Sequence, residues 1–338
     1  MSLGPPRATS SADAPGNPAG VSSGAPGAAS DPGPGSPGVP AGALYRDGAD
    51  RLRPDPVAAL LADPATRVVD VAEGATLVAG DGRVGLRWRL PREDDDQRLV
   101  LALGRDVGGA PILAVVWDRE YDPPAGTAWR GLREIGAGLE DLDAEVFMTA
   151  VALARWHEHH PRCPRCGEPT VVERAGWVRR CPGDGSEHFP RTDPAVIMAI
   201  TDPADRLLLG RNAMWPAGRF SVLAGFVEPG ERLEAAVVRE VLEEVGVRVV
   251  DVRYAGSQPW PFPASLMLGF TARAESAELR PDADEIVEAR WVSRGELSRL
   301  VAAGDVTLPG RLSIARRLLE QWYGGPLTPA REATWGRR

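Results

Sequence analysis

The sequence contains no lysine, so its basic side chains, apart from four histidines, are all arginines. Only three cysteines are present, and an odd number cannot form a framework made solely of disulfide pairs. No apolar run approaches the roughly 18 residues that a membrane-spanning helix needs, and no hydrophobic signal region follows the N-terminus. These absences predict a cytoplasmic protein that has no membrane partner.

The charge balance is acidic. The 338 residues carry a formal net charge of −8 at pH 7, and 43% of them are hydrophobic. The negative charge argues against a protein whose main partner is duplex DNA or an anionic membrane, because like charges repel. The hydrophobic content suffices for a substantial core, and the length fits about two domains.

Residues 225–247 form the most informative stretch and read GFVEPGERLEAAVVREVLEEVGV. The dipeptide Pro229-Gly230 is typical of a turn. Residues 233–245 contain no glycine or proline and are rich in alanine, leucine and glutamate, so they predict a helix. Gly246 is placed to end that helix, because glycine readily adopts the left-handed conformation found there.

The predicted helix carries carboxylates on one face, since Glu243 and Glu244 lie three and four residues after Glu240. Like charges at these spacings repel by a few tenths of a kcal/mol per pair. Arg239 can screen them only in part. Carboxylate oxygens suit Mg²⁺ or Mn²⁺, and a bound dication would remove the repulsion. The alternative is a solvated acidic helix face.

The same stretch follows the pattern G-x5-E-x7-R-E-U-x-E-E-x-G-U, in which U is aliphatic, and every position is filled. It resembles the box of the Nudix hydrolases, and a chance match is on the order of one in 10⁸ per window. The resemblance implies that Glu240 and Glu244 bind a divalent metal and that Glu243 ligates metal or activates water. It also implies that Arg239 orients the glutamates and that the backbone carbonyl of Ala224 is a further ligand.

Three cysteines lie close together in the sequence. Cys163 and Cys166 form a C-x2-C turn, and Cys181 follows a short hairpin-like segment. Three thiolates favour a structural Zn²⁺ site. A fourth cysteine is missing, so the fourth ligand is either Asp184 or His188. We favour His188, because imidazole is a softer ligand than carboxylate. The alternative is a redox pair of Cys163 and Cys166.

Residues 257–267 read SQPWPFPASLM. Three prolines within five residues exclude a helix and a central strand, so we predict a stiff loop. The loop would present the rings of Trp260 and Phe262, with Gln258 and Ser265 as hydrogen-bonding groups. A rigid aromatic surface of this kind suits the stacking of a flat base. The alternative is a proline-rich loop that only packs on the core.

Together with the box, SQPWPFPxS resembles the signature of the NADH pyrophosphatase branch of the Nudix family, over about residues 44–322. The resemblance implies that Glu285 is another metal ligand and that the enzyme is a homodimer. It also implies that Phe189 and Phe226 contribute rings to the site and that Ala315 borders the nucleotide. The residues it assigns to the dinucleotide site are Gln258, Pro259, Trp260, Pro261, Phe262, Pro263, Ala264 and Ser265.

The rest of the chain is patterned more weakly. The N-terminal segment is rich in proline, glycine, alanine and serine and has no aromatic residue, which predicts disorder. Short β-rich runs follow, and the acidic run 94–96 among them predicts an exposed loop. Residues 139–160 have the spacing of an amphipathic helix, with Asp141 as its N-cap. His157, His159 and His160 at its end are interpreted as a surface cluster.

The predicted fold is α/β (α+β), namely a Nudix α/β/α sandwich with a mixed sheet. A zinc-ribbon-like module and an N-terminal Nudix-like domain, both implied by the resemblance, precede it. The predicted parts are a disordered tail (1–42), the N-terminal Nudix-like domain (43–138), a linking helix (139–160), the zinc-ribbon-like module (161–190), the catalytic Nudix domain (191–324) and a C-terminal tail (325–338).

The predicted activity is metal-dependent hydrolysis of the diphosphate bond of NAD(H) to AMP and nicotinamide mononucleotide. Removal of the NAD cap from RNA 5′ ends is an alternative with the same chemistry, and arginines near the cysteines would favour it by holding phosphates. Another nucleoside diphosphate derivative such as ADP-ribose is a further alternative. A nucleotide-sensing or RNA-binding protein without activity is disfavoured, because every box glutamate is present. The arginines in question are Arg162, Arg165, Arg174, Arg179 and Arg180.

Overall fold

A computed structural model of the chain describes residues 44–46, 48–79, 84–118 and 121–328. The predicted tail over residues 1–42 lies outside the described residues, as does the predicted C-terminal tail from residue 329 onward. Within the described residues, no helix combines the length and the apolar composition needed to cross a bilayer.

The N-terminal part is built on a five-stranded sheet. Its strand order is β3-β4-β1-β2-β5, and β1 pairs in parallel with β4 while the other neighbours are antiparallel. Two short helices and one long helix accompany the sheet. The elements are α1 (Pro56–Leu61), β1 (Arg67–Ala72), β2 (Ala75–Ala79), β3 (Leu99–Arg105), β4 (Pro111–Val116), β5 (Thr127–Gly131), α2 (Leu132–Ile135) and α3 (Asp141–His159).

Helix α3 covers one face of this sheet. Val146, Phe147, Ala150 and Val151 are buried in a core that includes strand residues of β1, β3 and β4. The helical spacing predicted this apolar stripe, which the structure confirms. The predicted N-cap is wrong by one residue, because Glu140 occupies the cap position and the helix begins after it.

A small three-stranded antiparallel sheet follows α3. Its strands are β6 (Val171–Glu173), β7 (Val178–Arg180) and β8 (Glu187–His188), in that order. The sheet is tied to α3 through His157, which is buried rather than part of a surface cluster as predicted. Arg179 donates to Nδ1 of His157 at 2.9 Å, and Nε2 of His157 donates to the carbonyl of Gly176 at 2.8 Å. Burial lowers the pKa of His157 to about 4, so the ring is neutral at pH 7.

The C-terminal part contains a mixed sheet of six strands between helices. The path is β12-β13-β9-β10-β14, with β11 also paired to β9, and only the β13–β9 pair is parallel. The elements are β9 (Asp193–Thr201), β10 (Leu207–Asn212), β11 (Leu223–Phe226), α4 (Leu233–Val245), β12 (Val249–Trp260), β13 (Ser265–Ala274), β14 (Ile286–Val292), α5 (Arg294–Ala303) and α6 (Ile314–Tyr323).

Strand β9 shows how the sheet is sandwiched. Val196 and Met198 pack in the core that contains α4. Ile197 and Ala199, on the opposite face, pack in the core that contains α5 and α6. Successive side chains of a strand point to opposite faces, so a continuous apolar strand fills both cores. The predicted α/β/α sandwich with a mixed sheet is confirmed.

The proline-rich segment differs from its prediction. Residues 257–260 end β12 and residues 265–267 begin β13, so only residues 261–264 form a turn. Strand β12 is an edge strand, where Pro259 can be accommodated although it has no N–H to donate. The central strand β13 begins after the last proline. The predicted loop is therefore a four-residue turn between two strands.

Arg89 lies between two buried carboxylates in the N-terminal sheet. Its Nη2 is 2.7 Å from Oδ1 of Asp70, and its Nη1 is 2.7 Å from Oδ2 of Asp95. The indole of Trp117 donates to the same Asp70 oxygen at 2.7 Å. Asp70 and Asp95 are completely buried, so the expectation of an exposed acidic loop is wrong at Asp95. Because both carboxylates are buried, each needs the Arg89 guanidinium to neutralise its negative charge.

Replacing Arg89 by leucine should lower the free energy of unfolding by about 3–5 kcal/mol, because two buried carboxylates lose their cation. Urea denaturation of the full chain, followed by tryptophan fluorescence, measures the change. Arg130→Leu is the matched control, since the Arg130–Glu134 pair is largely exposed and its loss should cost less than about 1 kcal/mol. Equal effects of the two substitutions would refute a structural role for the buried pair.

Candidate active site

Gly225 and Glu240 come together where β11 leads toward α4. A Cβ atom at Gly225 would lie 1.9 Å from the carboxyl carbon of Glu240. The box therefore needs a glycine here, because the carboxylate of Glu240 crosses directly over this backbone position. At the other end of α4, Gly246 ends the helix at φ 71°, as the sequence predicts.

Arg239 connects the acidic residues of the box to one another. Its guanidinium donates to both oxygens of Glu231 at 2.9 Å. It also donates to Glu240 at 2.9 Å, to Glu243 at 3.0 Å and to the carbonyl of Phe226 at 2.9 Å. Its hydrogen bonds hold the pKa of Glu231 down to about 2. This geometry is what the resemblance implies for Arg239, namely that it fixes the positions of the glutamates.

Glu244 is buried without compensation. Its side chain is on the inner face of α4, only 3% of the residue is exposed, and among the described residues its Oε2 has no hydrogen-bond partner. Burial, together with the charges of Glu285 and Glu240, raises the pKa of Glu244 to about 9. Burial also raises the pKa of Glu240, against the opposing effect of Arg239. An orphaned carboxylate beside other carboxylates fits a divalent cation, which would stabilise the ionised forms.

Glu285 reaches this cluster from a distant part of the sequence. It lies in the loop just before β14, and the amide of Asn212 donates to its Oε1 at 3.4 Å. Its charge contributes to the raised pKa values of both Glu244 and Glu240, so it faces the carboxylates of α4. Local sequence marks it only as an ordinary loop acid, and its assignment came from the resemblance.

A cavity of about 250 Å³ adjoins the carboxylates. It brings together six of the predicted positions and adds Trp215 and Arg219, from the loop after β10, which the sequence analysis did not single out. The predicted residues that line the cavity with Glu244 are Ala224, Gln258, Trp260, Glu285 and Ala315.

Gln258 is bound to the protein itself. Its Nε2 donates to the carbonyl of Leu312 at 2.5 Å, and its Oε1 accepts from the amide of Ile314 at 2.7 Å. The side chain therefore joins the edge strand β12 to the first residues of α6. In this arrangement Gln258 shapes the wall of the cavity, and its amide is already engaged.

Phe262 does not line the cavity, although it was predicted to present its ring there. It packs against the core of the N-terminal part, with the Arg133 guanidinium 4.0 Å from its ring centre. Arg155 donates to the carbonyl of the preceding Pro261 at 2.8 Å. The turn is thus fastened to α2 and α3, and Trp260 is left to face the cavity.

The other predicted positions also lie outside the cavity walls. Phe189 and Phe226 are each 59% exposed. Ser265 is buried at the start of β13, and the carbonyl of Ala264 accepts from the backbone of Asp193 at 2.8 Å. Pro259 and Pro263 are exposed. Pro259, Pro263, Ala264 and Ser265 belong to the strands and the turn that carry Trp260, whereas Phe226 ends β11 and Phe189 lies before β9.

The cysteines form a separate cluster with Asp184. The ligand atoms of Cys163, Cys166, Cys181 and Asp184 all lie within 4.8 Å of one another, and the sulfurs of Cys166 and Cys181 are 3.4 Å apart. His188 is outside the cluster, and its Nε2 is 3.1 Å from the hydroxyl of Ser186. The structure therefore corrects the preference for His188 and places Asp184 as the fourth group.

The backbone explains why Asp184 takes this place. The amide of Gly167 donates to the carbonyl of Cys163 at 2.9 Å, and the amide of Gly185 donates to the carbonyl of Cys181 at 3.0 Å. The two turns are equivalent, so a residue three positions after the first cysteine of each turn points into the cluster. Three thiols and one carboxylate in this arrangement fit a tetrahedral Zn²⁺ site.

The chemistry of Cys163 agrees with metal binding. Burial opposes ionisation of its thiol, but the backbone N–H groups of Cys166 and Arg165 outweigh burial and lower the pKa of Cys163 to about 6. The thiolate is the form that ligates Zn²⁺.

Three consecutive segments of the chain match families of known proteins. Residues 65–156 match the NADH pyrophosphatase-like rudimentary NUDIX domain. Residues 158–189 match the NADH pyrophosphatase zinc ribbon domain, and residues 191–309 match the NUDIX domain. The first match covers the five-stranded sheet, the second covers the small three-stranded sheet, and the third covers the six-stranded sheet.

Relatives are similar over most of the chain. The NAD-capped RNA hydrolase NudC of Mycobacterium bovis (strain BCG / Pasteur 1173P2) is 42% identical over 287 residues, which cover 82% of this chain and 92% of the relative. The protein of the same name from Mycobacterium tuberculosis (strain ATCC 25618 / H37Rv) has the same identity and coverage. The NAD-capped RNA hydrolase NUDT12 of Homo sapiens is 35% identical over 268 residues, covering 74% of this chain and 55% of the relative. The chain therefore belongs to the Nudix hydrolase family, within its NADH pyrophosphatase branch.

Proposed function

We propose that this Nudix hydrolase cleaves the diphosphate bond of NAD(H), giving AMP and nicotinamide mononucleotide, in the presence of Mg²⁺ or Mn²⁺. The observation that carries the proposal is the buried carboxylate of Glu244, whose Oε2 has no hydrogen-bond partner among the described residues and which lines a cavity together with Glu285 and Trp260. One cavity thus combines carboxylates that need a cation with an aromatic wall. A bound cation suits the charged bridge of a dinucleotide, and the aromatic wall suits its flat rings.

The metal-binding groups would be the carboxylates of Glu240, Glu244 and Glu285 and the carbonyl of Ala224. When bound by these groups, a divalent metal would supply charge neutralisation for the phosphate oxygens and would lower the pKa of a bound water. Arg239 keeps Glu240 in place and holds Glu243 by a hydrogen bond of 3.0 Å. Glu243 is exposed at the edge of the cluster, where its carboxylate can accept a proton from an attacking water or ligate metal.

The remaining groups would position the substrate. Trp260 offers a ring to a base, and Ala315 at the start of α6 leaves room beside it. Gln258 supports this wall through its bonds to residues 312 and 314. A structural Zn²⁺ on Cys163, Cys166, Cys181 and Asp184, in this proposal, keeps the small sheet folded.

Removal of the NAD cap from RNA is the second candidate, and the names of the relatives favour it. The bond cleaved is the same. Four of the five arginines near the cysteines are buried or paired with carboxylates, and the exposed Arg162 donates to the carbonyl of Gly167. Arg179 is buried, Arg174 and Arg180 pair with Glu187, and Arg165 pairs with Asp184.

A substrate panel of NADH, NAD⁺, ADP-ribose and NAD-capped RNA, with product identification, ranks the candidates. The homodimer and the cytoplasmic location implied earlier stay predictions.

Glu244→Gln should reduce kcat/KM for NADH with Mg²⁺ on the order of 100-fold, because a neutral amide at a buried metal position cannot replace the carboxylate. Release of AMP, measured by chromatography, gives the rate. Glu234→Gln makes the same change on the exposed side of the same helix and should retain nearly full activity. Wild-type rates in Glu244→Gln would remove the proposed function.

Gly225→Ala should lower kcat/KM at least about tenfold, on the scale expected when a catalytic group is displaced by about 1 Å. The added methyl group would occupy the space of the Glu240 carboxylate. The flexible side chain can move away, so the melting temperature should change little. Gly295→Ala is the matched control, because no atom lies within 4 Å of its added Cβ. Unchanged kinetics of Gly225→Ala would show that the position of Glu240 is not critical.

Metal analysis should find about one zinc per chain in the purified protein. Asp184→Ala should lose most of the zinc, whereas His188→Gln should keep it, because only Asp184 lies among the three thiols. Asp184→Cys should bind zinc at least as tightly as the wild type, since a thiolate is the softer ligand. Loss of zinc from His188→Gln but not from Asp184→Ala would contradict this assignment.

A further inference from the structure

The C-terminal end of α4 is bonded to a segment that precedes β14. The amide of Arg280 donates to the carbonyl of Val245 at 2.8 Å, and the amide of Asp282 donates to the carbonyl of Glu244 at 3.1 Å. Both carbonyls belong to the last turn of α4, where a helix has no N–H groups of its own to bond them. The segment therefore completes the hydrogen bonding of the helix that carries the box glutamates.

The side chain of Asp282 continues this connection to Glu285. Its Oδ1 accepts from the amide of Glu285 at 3.2 Å and from the amide of Ile286 at 2.8 Å. Short carboxylate side chains commonly bond the backbone of residues that follow them, and such bonds fix a turn. Within this turn Ala283 has φ 69°, a conformation that is unfavourable for alanine and needs support from its surroundings.

Glu285 is also held from the end of β10. The amide of Ala213 donates to the backbone carbonyl of Glu285 at 2.8 Å, and the side-chain amide of Asn212 is 3.4 Å from its Oε1. Asp282 fixes the opposite side of the residue, at its backbone amide. A single residue, Asp282, thus links the backbones of Glu244 and Glu285, two carboxylates that line the same cavity.

We propose that Asp282 is a positioning residue for the metal site, which sets the place of Glu285 relative to Glu244 through its hydrogen bonds. The inference rests on the proposed function, because it takes these two carboxylates to bind a divalent metal. Residues that hold metal ligands in place typically change the affinity for the metal by about 10- to 100-fold when they are replaced.

The charge of Asp282 offers a competing explanation. Burial is the main cause of the raised pKa of Glu244, and the charge of Asp282 is a minor one, so its carboxylate also acts on the site electrostatically. Asparagine separates the two roles, because it keeps an acceptor oxygen at the same position and loses the charge.

Isothermal titration calorimetry of the full-length protein with Mn²⁺, without nucleotide, measures the affinity directly. Binding that Glu244→Gln abolishes is assigned to the cavity. Asp282→Ala should raise its Kd about tenfold, because the amides of residues 285 and 286 lose their acceptor. Asp282→Asn should stay within about threefold of the wild type. Asp284→Ala, the matched control, removes an exposed carboxylate of the same loop and should change the Kd less than about twofold.

Hydrolysis of NADH by the same variants distinguishes positioning from a merely structural role. Asp282→Ala should raise the Mg²⁺ concentration that gives half of the maximal rate about tenfold, whereas kcat at saturating Mg²⁺ should fall less. Asp282 is exposed, so the variants should keep a cooperative melting transition in EDTA. If Asp282→Ala is unfolded at the temperature of the titration, Asp282→Asn decides alone: a Kd raised tenfold overturns the proposal, and an unchanged Kd supports it.

An unchanged Kd in Asp282→Ala overturns the proposal, because the turn then holds Glu285 without this side chain. Equal losses in the alanine and asparagine variants also overturn it and assign the effect to charge. Both results leave the proposed function intact as long as the wild type hydrolyses NADH. The expected Kd values without hydrolysis of NADH support the role of Asp282 and remove the proposed function. A wild type that binds no Mn²⁺ in the cavity overturns both.

Discussion

The burial of Glu244, whose Oε2 has no hydrogen-bond partner in the described part of the chain, is the constraint on which the candidate site depends. Glu244 faces Glu285 and Glu240, and the three cannot all be charged at low cost without a cation. Arg239 already donates hydrogen bonds to Glu231, Glu240 and Glu243. A dication bound among the carboxylates would lower the remaining cost of their charge.

The N-terminal part serves this site from a distance. Its buried Asp70 and Asp95 are neutralised by Arg89. Its helices instead receive the turn of residues 261–264, through Phe262 in its core and Arg155 on a backbone carbonyl. The N-terminal part therefore contacts the turn beside Trp260, whereas the candidate metal-binding carboxylates lie in the C-terminal part.

Local patterns allowed much of the fold and part of the site to be predicted. The helix over residues 233–245, its terminal glycine and the carboxylate face depend on spacing within one turn, and the structure contains them. Contacts between distant residues were not predictable in this way. Arg155 and Pro261 are 106 positions apart, and that contact turns Phe262 from the cavity. His188 was preferred to Asp184 as the fourth zinc ligand on the softness of the ligand alone. The shape of the second turn, which places Asp184 among the thiols, was not taken into account.

The fastening of residues 261–264 to α2 and α3 has a consequence for truncated proteins. A fragment that keeps only residues 191–324 would retain every box glutamate and its arginine, and so the means of breaking an anhydride. It would lose the backing of the wall that carries Trp260. Such a fragment should lose discrimination among nucleotides sooner than it loses turnover, because the contacts that fix the turn beside Trp260 come from the N-terminal part.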